Sequence, residues 1–257
     1  MTVPFALRAA GHWWRRDRRA LPTSIALGLL LPLGYLASLG LGIGRFVGRD
    51  QTWLGGGRYV AWLAPGLLAS TVVMAVAADC LWTVLGAVQW AGQYVAQAAS
   101  PLAPRDIMLG HWLYVVQRIV VSAALQITVM GTFGAWRRPT APLAVGAATL
   151  TGAALAATLM AWSVTRRTDG GFAVMQRFAL TPMFLFAGTF FPVGQLPTAL
   201  RYIAYCTPLY HGVSLCRGLM LPGTAGALMI ANAAYLLALL GVGLTAGARS
   251  YARVLAR

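Results

Sequence analysis

Lysine and glutamate are missing from this chain: all twenty basic residues are arginine and all five acids are aspartate. A phosphate-binding loop of the GxxxxGK type needs its lysine, so the chain cannot hydrolyse ATP by that route. Histidine is scarce, and His12, His111 and His211 stand at no spacing from one another or from an acid pair that would hold a metal. The three cysteines, Cys80, Cys206 and Cys216, form no CxxC pair. Cys206 and Cys216 share one segment and could bond to each other, although small buried apolar roles suit them better. A nucleophile with a base beside it is lacking too, so no catalytic residue, metal or cofactor is expected on this polypeptide.

Charge is thin overall. Only 10% of residues are charged, against about 25% in a soluble domain, and 59% are hydrophobic. Such a composition predicts an all-α integral membrane protein. The net charge of +15 does not point to nucleic acid, because the arginines sit between long apolar runs as flanks and form no patch. Arginine without lysine, with abundant alanine and glycine, is the bias of a GC-rich bacterial genome.

Six apolar runs, at about 21–44, 59–85, 107–133, 142–164, 172–191 and 226–247, reach or approach the roughly 20 residues a membrane helix needs. Ahead of them, residues 4–20 place Arg8, His12, Arg15, Arg16 and Arg19 on one helical side and Phe5, Ala9 and Trp13 on another. This predicts an amphipathic helix in the interface plane, a plain topology-setting flank being the alternative. No removable signal peptide is expected. Six spans put both termini on one side. That side carries eleven arginines outside the membrane and the other side seven, which makes the termini cytoplasmic. Gly40, Gly42 and Gly44 close the first run; with no strand before them and no helix bearing a ribose-binding acid after them, they predict close helix packing.

Three ionisable residues fall inside the spans: Asp79, Arg118 and Arg177. An aspartate at a helix centre costs about 2.5–3.5 kcal/mol on insertion scales, so Asp79 is expected to pair with Arg118, and Arg177 to join them or to snorkel. Structural pairing is preferred to a proton relay. Between the last two spans, Pro192, Pro197 and Pro208 stop helices, while Leu196, Leu200, Ile203 and Ala204 recur at helical spacing with Arg201 on another face. Residues 192–222 therefore predict an external, re-entrant helical hairpin whose short helices lie at or dip back into one bilayer surface.

Several stretches carry a resemblance. Gly188, Phe191-Pro192, Gln195-Leu196-Pro197, Pro208-Leu209, His211 and Arg217-Gly218-Leu219 resemble the pattern before the last helix of ABC-2 type transporter permeases. The nearest branch is that of nodulation lipo-oligosaccharide and daunorubicin-type drug exporters. YLASLGLGIG and YVAWLAPGLLAS are similar to that branch's first two spans. Ala98, Pro101-Leu102, Pro104, Asp106-Ile107 and Leu109-Gly110 resemble its loop between spans two and three.

The resemblance implies that the loop at 89–106 carries a coupling helix docking into a separate ATPase subunit. Ala98, Pro101, Leu102, Pro104, Arg105, Asp106 and Gly110 would make that contact. It further implies ATP and Mg on the partner, and two permeases, identical or paired with a sister chain, in the bacterial cytoplasmic membrane. The cargo would be hydrophobic or amphipathic: a drug-like compound, a lipid or a lipid-linked glycan. Phe184, Phe190, Phe191 and Tyr210 are candidates to line its path, although an aromatic stripe at helical spacing also suits lipid contact or packing. The family often has glutamate where this chain has Asp79, so no charge role is carried over. The alternative is an ATP-independent six-span secondary transporter or a membrane-embedded enzyme. Against these stand the lack of similarity between the two halves of the chain and of any His or carboxylate cluster.

Overall fold

Proline and glycine set the ends of helices that apolar composition alone would run together. The computed structural model describes residues 5–19, 21–42, 58–223 and 226–255, with Gly44, Phe46 and Leu54. The loop with Arg45, Arg49, Asp50 and Gly55 to Gly57 lies outside the described residues, as does Arg257. The elements in order are α1 (Phe5–Asp17), α2 (Leu21–Tyr35) running into a π-helical stretch (Leu36–Gly42), α3 (Tyr59–Gln89), α4 (Gln93–Ala98) and α5 (Pro104–Thr132). After a 3-10 turn (Ala141–Leu143) come α6 (Ala144–Ser163), α7 (Gly170–Met175), a second π-helical stretch (Gln176–Leu180) and α8 (Thr181–Phe186). Another 3-10 turn (Val193–Gln195), α9 (Thr198–Tyr205), α10 (Pro208–Met220) and α11 (Gly226–Leu255) complete the chain. Among the described residues there is no strand.

Among the described residues, four helical segments are long and apolar enough to cross a membrane: Tyr59–Gln89, Pro104–Thr132, Ala141–Ser163 and Gly226–Leu255. They differ in how much protein surrounds them. The most apolar window of α3 is 83% buried inside the protein and that of α11 only 17%, so α3 is the axis of the bundle and α11 a wall whose outer face is left for lipid or another chain.

The hub around that axis is α6, which packs on α3, α5, α10 and α11. Its sequence explains why. Alanine, glycine and threonine dominate it, and small side chains let helix backbones approach where lipid gives no hydrophobic drive for association. A Cβ at Gly152 would stand 2.6 Å from Val72 Cγ1 and 2.9 Å from Ile119 Cδ1, so α3 and α5 both close on the same point. Thr151 fills the notch at Gly212 of α10, where an added Cβ would meet its Oγ1 at 2.3 Å. Polar bonds pin the helices: Ser163 Oγ donates to the Cys80 carbonyl at 2.7 Å and Trp112 Nε1 to the Ala153 carbonyl at 3.0 Å. Each such bond contributes about 0.6–2 kcal/mol in a membrane bundle.

Several expectations are revised. The helical run expected at 172–191 covers residues 170–186, because Gly188 takes φ 89°, a left-handed conformation that ends the helix. In the hairpin, α10 packs on α3, α6 and α11. Pro208 opens α10, and Thr207 Oγ1 caps it by accepting from the Tyr210 N–H at 3.4 Å. The four spaced apolar residues, Leu196 ahead of α9 and Leu200, Ile203 and Ala204 on it, do not share one buried face. Leu196 and Ala204 pack inward with Val193, while Leu200 and Ile203 are exposed. Gly40 does abut Val60, whereas an added Cβ at Gly42 meets nothing within 4 Å. Cys216 is buried and Cys206 exposed, both as free thiols.

Filling the notch at the hub should be costly. Gly152→Val is expected to destabilise the bundle by about 1–3 kcal/mol through overpacking, read as a lowered Tm in detergent. Gly146→Val, on the same helix with open space at its Cβ, should leave Tm close to wild type.

Candidate functional site

A six-residue helix such as α4 has no stability of its own, so tertiary contacts must fix it. Gly92, at φ 59°, turns the chain out of α3 and into α4, and Tyr94 and Gln97 then face inward. The Tyr94 hydroxyl lies between two distant helices. It hydrogen-bonds His111 Nδ1 on α5 and, at 3.0 Å, the Tyr251 hydroxyl on α11. Trp13 of α1 stacks flat on the His111 ring with centroids 3.9 Å apart. Burial pushes the Tyr94 phenol well above its ordinary pKa, the neighbouring Tyr251 hydroxyl adding to this, so it stays neutral and keeps its proton. Around it the Gln97 amide, His111 Nε2 and Trp13 Nε1 are buried without a hydrogen-bond partner among the described residues. Such groups are costly to bury and mark a polar joint with bonding capacity in reserve.

The first helix locks this joint from outside. Ala9, Ala10 and Trp13 form its buried side, and α1 crosses α5 where a Cβ on Gly110 would stand 2.4 Å from Ala9 Cβ. Arg16 Nη1 donates to Gln93 Oε1 of α4 at 2.9 Å, and Trp14 Nε1 donates to Gln117 of α5. Burial, then Arg15 and Arg16, lower the pKa of His12, so α1 gains no further charge near neutral pH. The Tyr114 hydroxyl donates to Asp17 Oδ2 at 2.7 Å, and the Arg118 guanidinium lies over the Tyr114 ring at 5.8 Å. Arg118 Nη1 reaches both carboxylate oxygens of Asp79 at 2.9 Å. Arg177 is exposed on the second π-helical stretch and makes no bond to Asp79. The charge cluster is thus a pair, extended through Tyr114 to Asp17.

The residues expected to meet a motor divide into two groups. Pro101 and Arg105 are exposed. Ala98 and Leu102 pack against the core, Pro104 is the first residue of α5, and the Asp106 carboxylate accepts from the Ala103 N–H at 3.3 Å as a helix cap. Gly110 is covered by α1. The outward surface is made instead by Trp90, 68% exposed, and Val95, 58% exposed, with Ala96, Ala99 and Ser100. Exposed apolar groups on the end of a polar-tipped bundle are the ordinary mark of a docking face.

At the other end of α3 the hairpin closes a cavity of about 310 Å³. Arg217 lies on its wall, 3.9 Å from the centroid of the Trp62 ring, and Arg217 Nη2 donates to the Gly188 carbonyl at 2.9 Å. The four aromatics expected to line one path part company. Phe184 and Phe190 meet edge to face at 5.2 Å and both touch Tyr35, Phe191 joins the small core of Val193, Leu196 and Ala204, and only Tyr210 faces the cavity. His211 ties the hairpin to α11, 2.7 Å from Asn232 Oδ1 and stacked at 3.9 Å on Tyr235.

The profile of the ABC-2 type transporter family matches residues 12–221, which takes in the end of α1, α4, the Asp79–Arg118 pair and nearly all of the hairpin. The chain belongs to that family. Nodulation protein J of Sinorhizobium fredii is 30% identical over 223 residues, covering 84% of each chain. Nodulation protein J of Rhizobium leguminosarum bv. viciae is 32% identical over 216 residues, 81% of this chain and 80% of the relative. The Rhizobium meliloti protein of that name is 28% identical over 224 residues. The molecule is therefore the membrane component of a transporter, a multi-pass permease that is not itself catalytic, and membership implies association with an ABC ATPase.

In this ABC-2 permease the joint of Trp13, Tyr94, His111 and Tyr251 escaped sequence reasoning. The other members stand 17 to 157 positions from Tyr94 and share no periodicity; the one local signal was the inward pair Tyr94 and Gln97, three apart on a short segment. The Asp79–Arg118 contact is testable by a double-mutant cycle. Asp79→Asn and Arg118→Gln should each destabilise the protein, and the double variant should lose less than their sum, with a coupling of about 1 kcal/mol or more. Additive losses would mean that the two groups do not support each other.

Proposed function

We propose that this chain is the permease half of an ATP-driven exporter, moving a hydrophobic or amphipathic substrate out of the cytoplasm. The observation that carries the reading is α4: a short helix with an apolar outer surface, whose inner surface is bonded through Tyr94 to the ends of α5 and α11. A force on such a helix passes directly to two long rods. With the chain carrying no lysine for a phosphate-binding loop, that force must come from a separate subunit holding ATP and Mg.

On this reading residues 21–42 and 170–186 add two spans to the four long ones, giving six, with α1 in the interface plane and both termini in the cytoplasm. The arginine excess on the α1 and α4 side supports that orientation in the bacterial inner membrane. Two permeases, alike or paired with a sister chain, would join two ATPases, and the open wall of α11, with Ile230 and Val242 exposed, is available for lipid or for that partner. The cargo class is a drug-like compound, a lipid or a lipid-linked glycan.

The test uses the permease purified with the ATPase it recruits and reconstituted into vesicles. Val95→Asp or Ala96→Asp should lower substrate-stimulated ATP hydrolysis and export at least about tenfold in a protein of unchanged Tm, since a charge on a closely docked apolar face costs several kcal/mol. Asp106→Ala should act differently, lowering Tm by loss of the α5 cap, worth about 0.5–2 kcal/mol, with coupling retained in the folded fraction. Full export by the Val95→Asp protein without bound ATPase would favour the ATP-independent alternative.

A further inference from the structure

The cavity beneath the hairpin holds Arg217, a cation with no counter-charge among the described residues. Arg217 has three nitrogens and spends few of its donors: one bond goes to the Gly188 carbonyl, the plane lies on Trp62, and Nε is sealed from solvent with no acceptor. None of the described residues lining the cavity is acidic. The described aspartates lie elsewhere, in α1, in the α4-proximal half of α3, at the start of α5 and just ahead of α7. A guanidinium drawn partly out of water, without an acidic partner among the described residues, loses more hydration than one carbonyl bond and a cation–π contact restore. The space beside it, about 310 Å³, is at the lower end of the roughly 300–1,000 Å³ typical of small-molecule sites, and Tyr205, Tyr210 and Ser214 line it with Trp62.

We propose that this cavity is a binding site for an organic anion. Arg217 takes the phosphate or carboxylate through the Nη donors that Gly188 leaves free, and Trp62, Tyr205 and Tyr210 flank the apolar or ring-bearing body. Gly188 belongs to the site by its backbone: its left-handed φ turns the carbonyl toward Arg217 and holds the guanidinium against Trp62. The charge can arrive on a lipid headgroup entering from the bilayer or on a water-soluble acid. Binding requires neither motor nor transport, so a measurement on the chain alone leaves the export reading untouched.

Isothermal titration of the full chain in phosphatidylcholine nanodiscs tests it, with dihexanoyl phosphatidic acid as the lipid probe, phenyl phosphate and benzoate as soluble probes and phenol as the neutral control. At least one anionic probe should bind saturably and at least about tenfold more tightly than phenol. Arg217→Gln should weaken it about tenfold or more, and Ser214→Phe, which fills the cavity and keeps the arginine, should do the same. Binding of phosphatidic acid alone identifies a lipid headgroup as the ligand, and binding of the soluble probes a free acid. No anionic binding above phenol in the wild-type chain, or affinity within twofold of wild type in Arg217→Gln, overturns the proposal and leaves Arg217 as a clamp on the hairpin.

Discussion

A single buried hydroxyl, that of Tyr94, joins α4 to the helix that follows it, α5, and to α11, whose Tyr251 stands 157 positions away. One hydrogen bond is worth about 1 kcal/mol and an aromatic stack about 0.5–1.5 kcal/mol beyond its burial, so the joint is modest in energy. Its importance is positional. α4 has too few residues to hold itself, and its placement on the bundle depends on Tyr94 reaching His111 and Tyr251, on Trp13 covering His111, and on Arg16 holding Gln93. Gly110 makes the arrangement possible by letting α1 lie directly on α5.

From that joint, two uninterrupted helices run the length of the bundle. α5 has 29 residues and α11 has 30, each about 43–45 Å long. Both pack on α6, whose small side chains bring α3 and α10 within reach, so the α4 end and the hairpin cavity are connected through closely fitted helices. On the proposed function, displacement of α4 tilts α5 and α11, and α6 transmits the tilt to α10 and Arg217. Close packing favours movement between discrete arrangements over gradual deformation. The unpartnered polar atoms around Tyr94 give the joint other hydrogen bonds to adopt when it moves.

Much of the helical architecture was legible because it rests on local properties: apolar length for α3, α5, α6 and α11, and prolines for the breaks between the short helices of residues 192–222. Asp79 and Arg118 were legible as lone charges in apolar surroundings that force a search for a partner. What could not be read depends on contacts between distant segments. Asp106 and Leu102 sit in the recognisable loop, yet one caps α5 and the other packs inward, so motif membership did not tell inward from outward. Arg201 and Arg217 look alike in sequence. Arg201 bonds the carbonyls of Gly194 and Leu196 within its own turn, while Arg217 crosses to Trp62 on α3, a pairing no spacing foretells.

The central claim is that a partner subunit grips the outward surface of α4 while its inward surface stays fixed to the bundle. Photo-crosslinking from a benzophenone amino acid, placed one position at a time along residues 93–98 in the assembled transporter, measures this directly. The account predicts strong crosslinks to the ATPase from Val95 and Ala96, and crosslinks only within the permease from Tyr94 and Gln97. ATPase crosslinks from none of these positions, in a transporter that still exports, would contradict it.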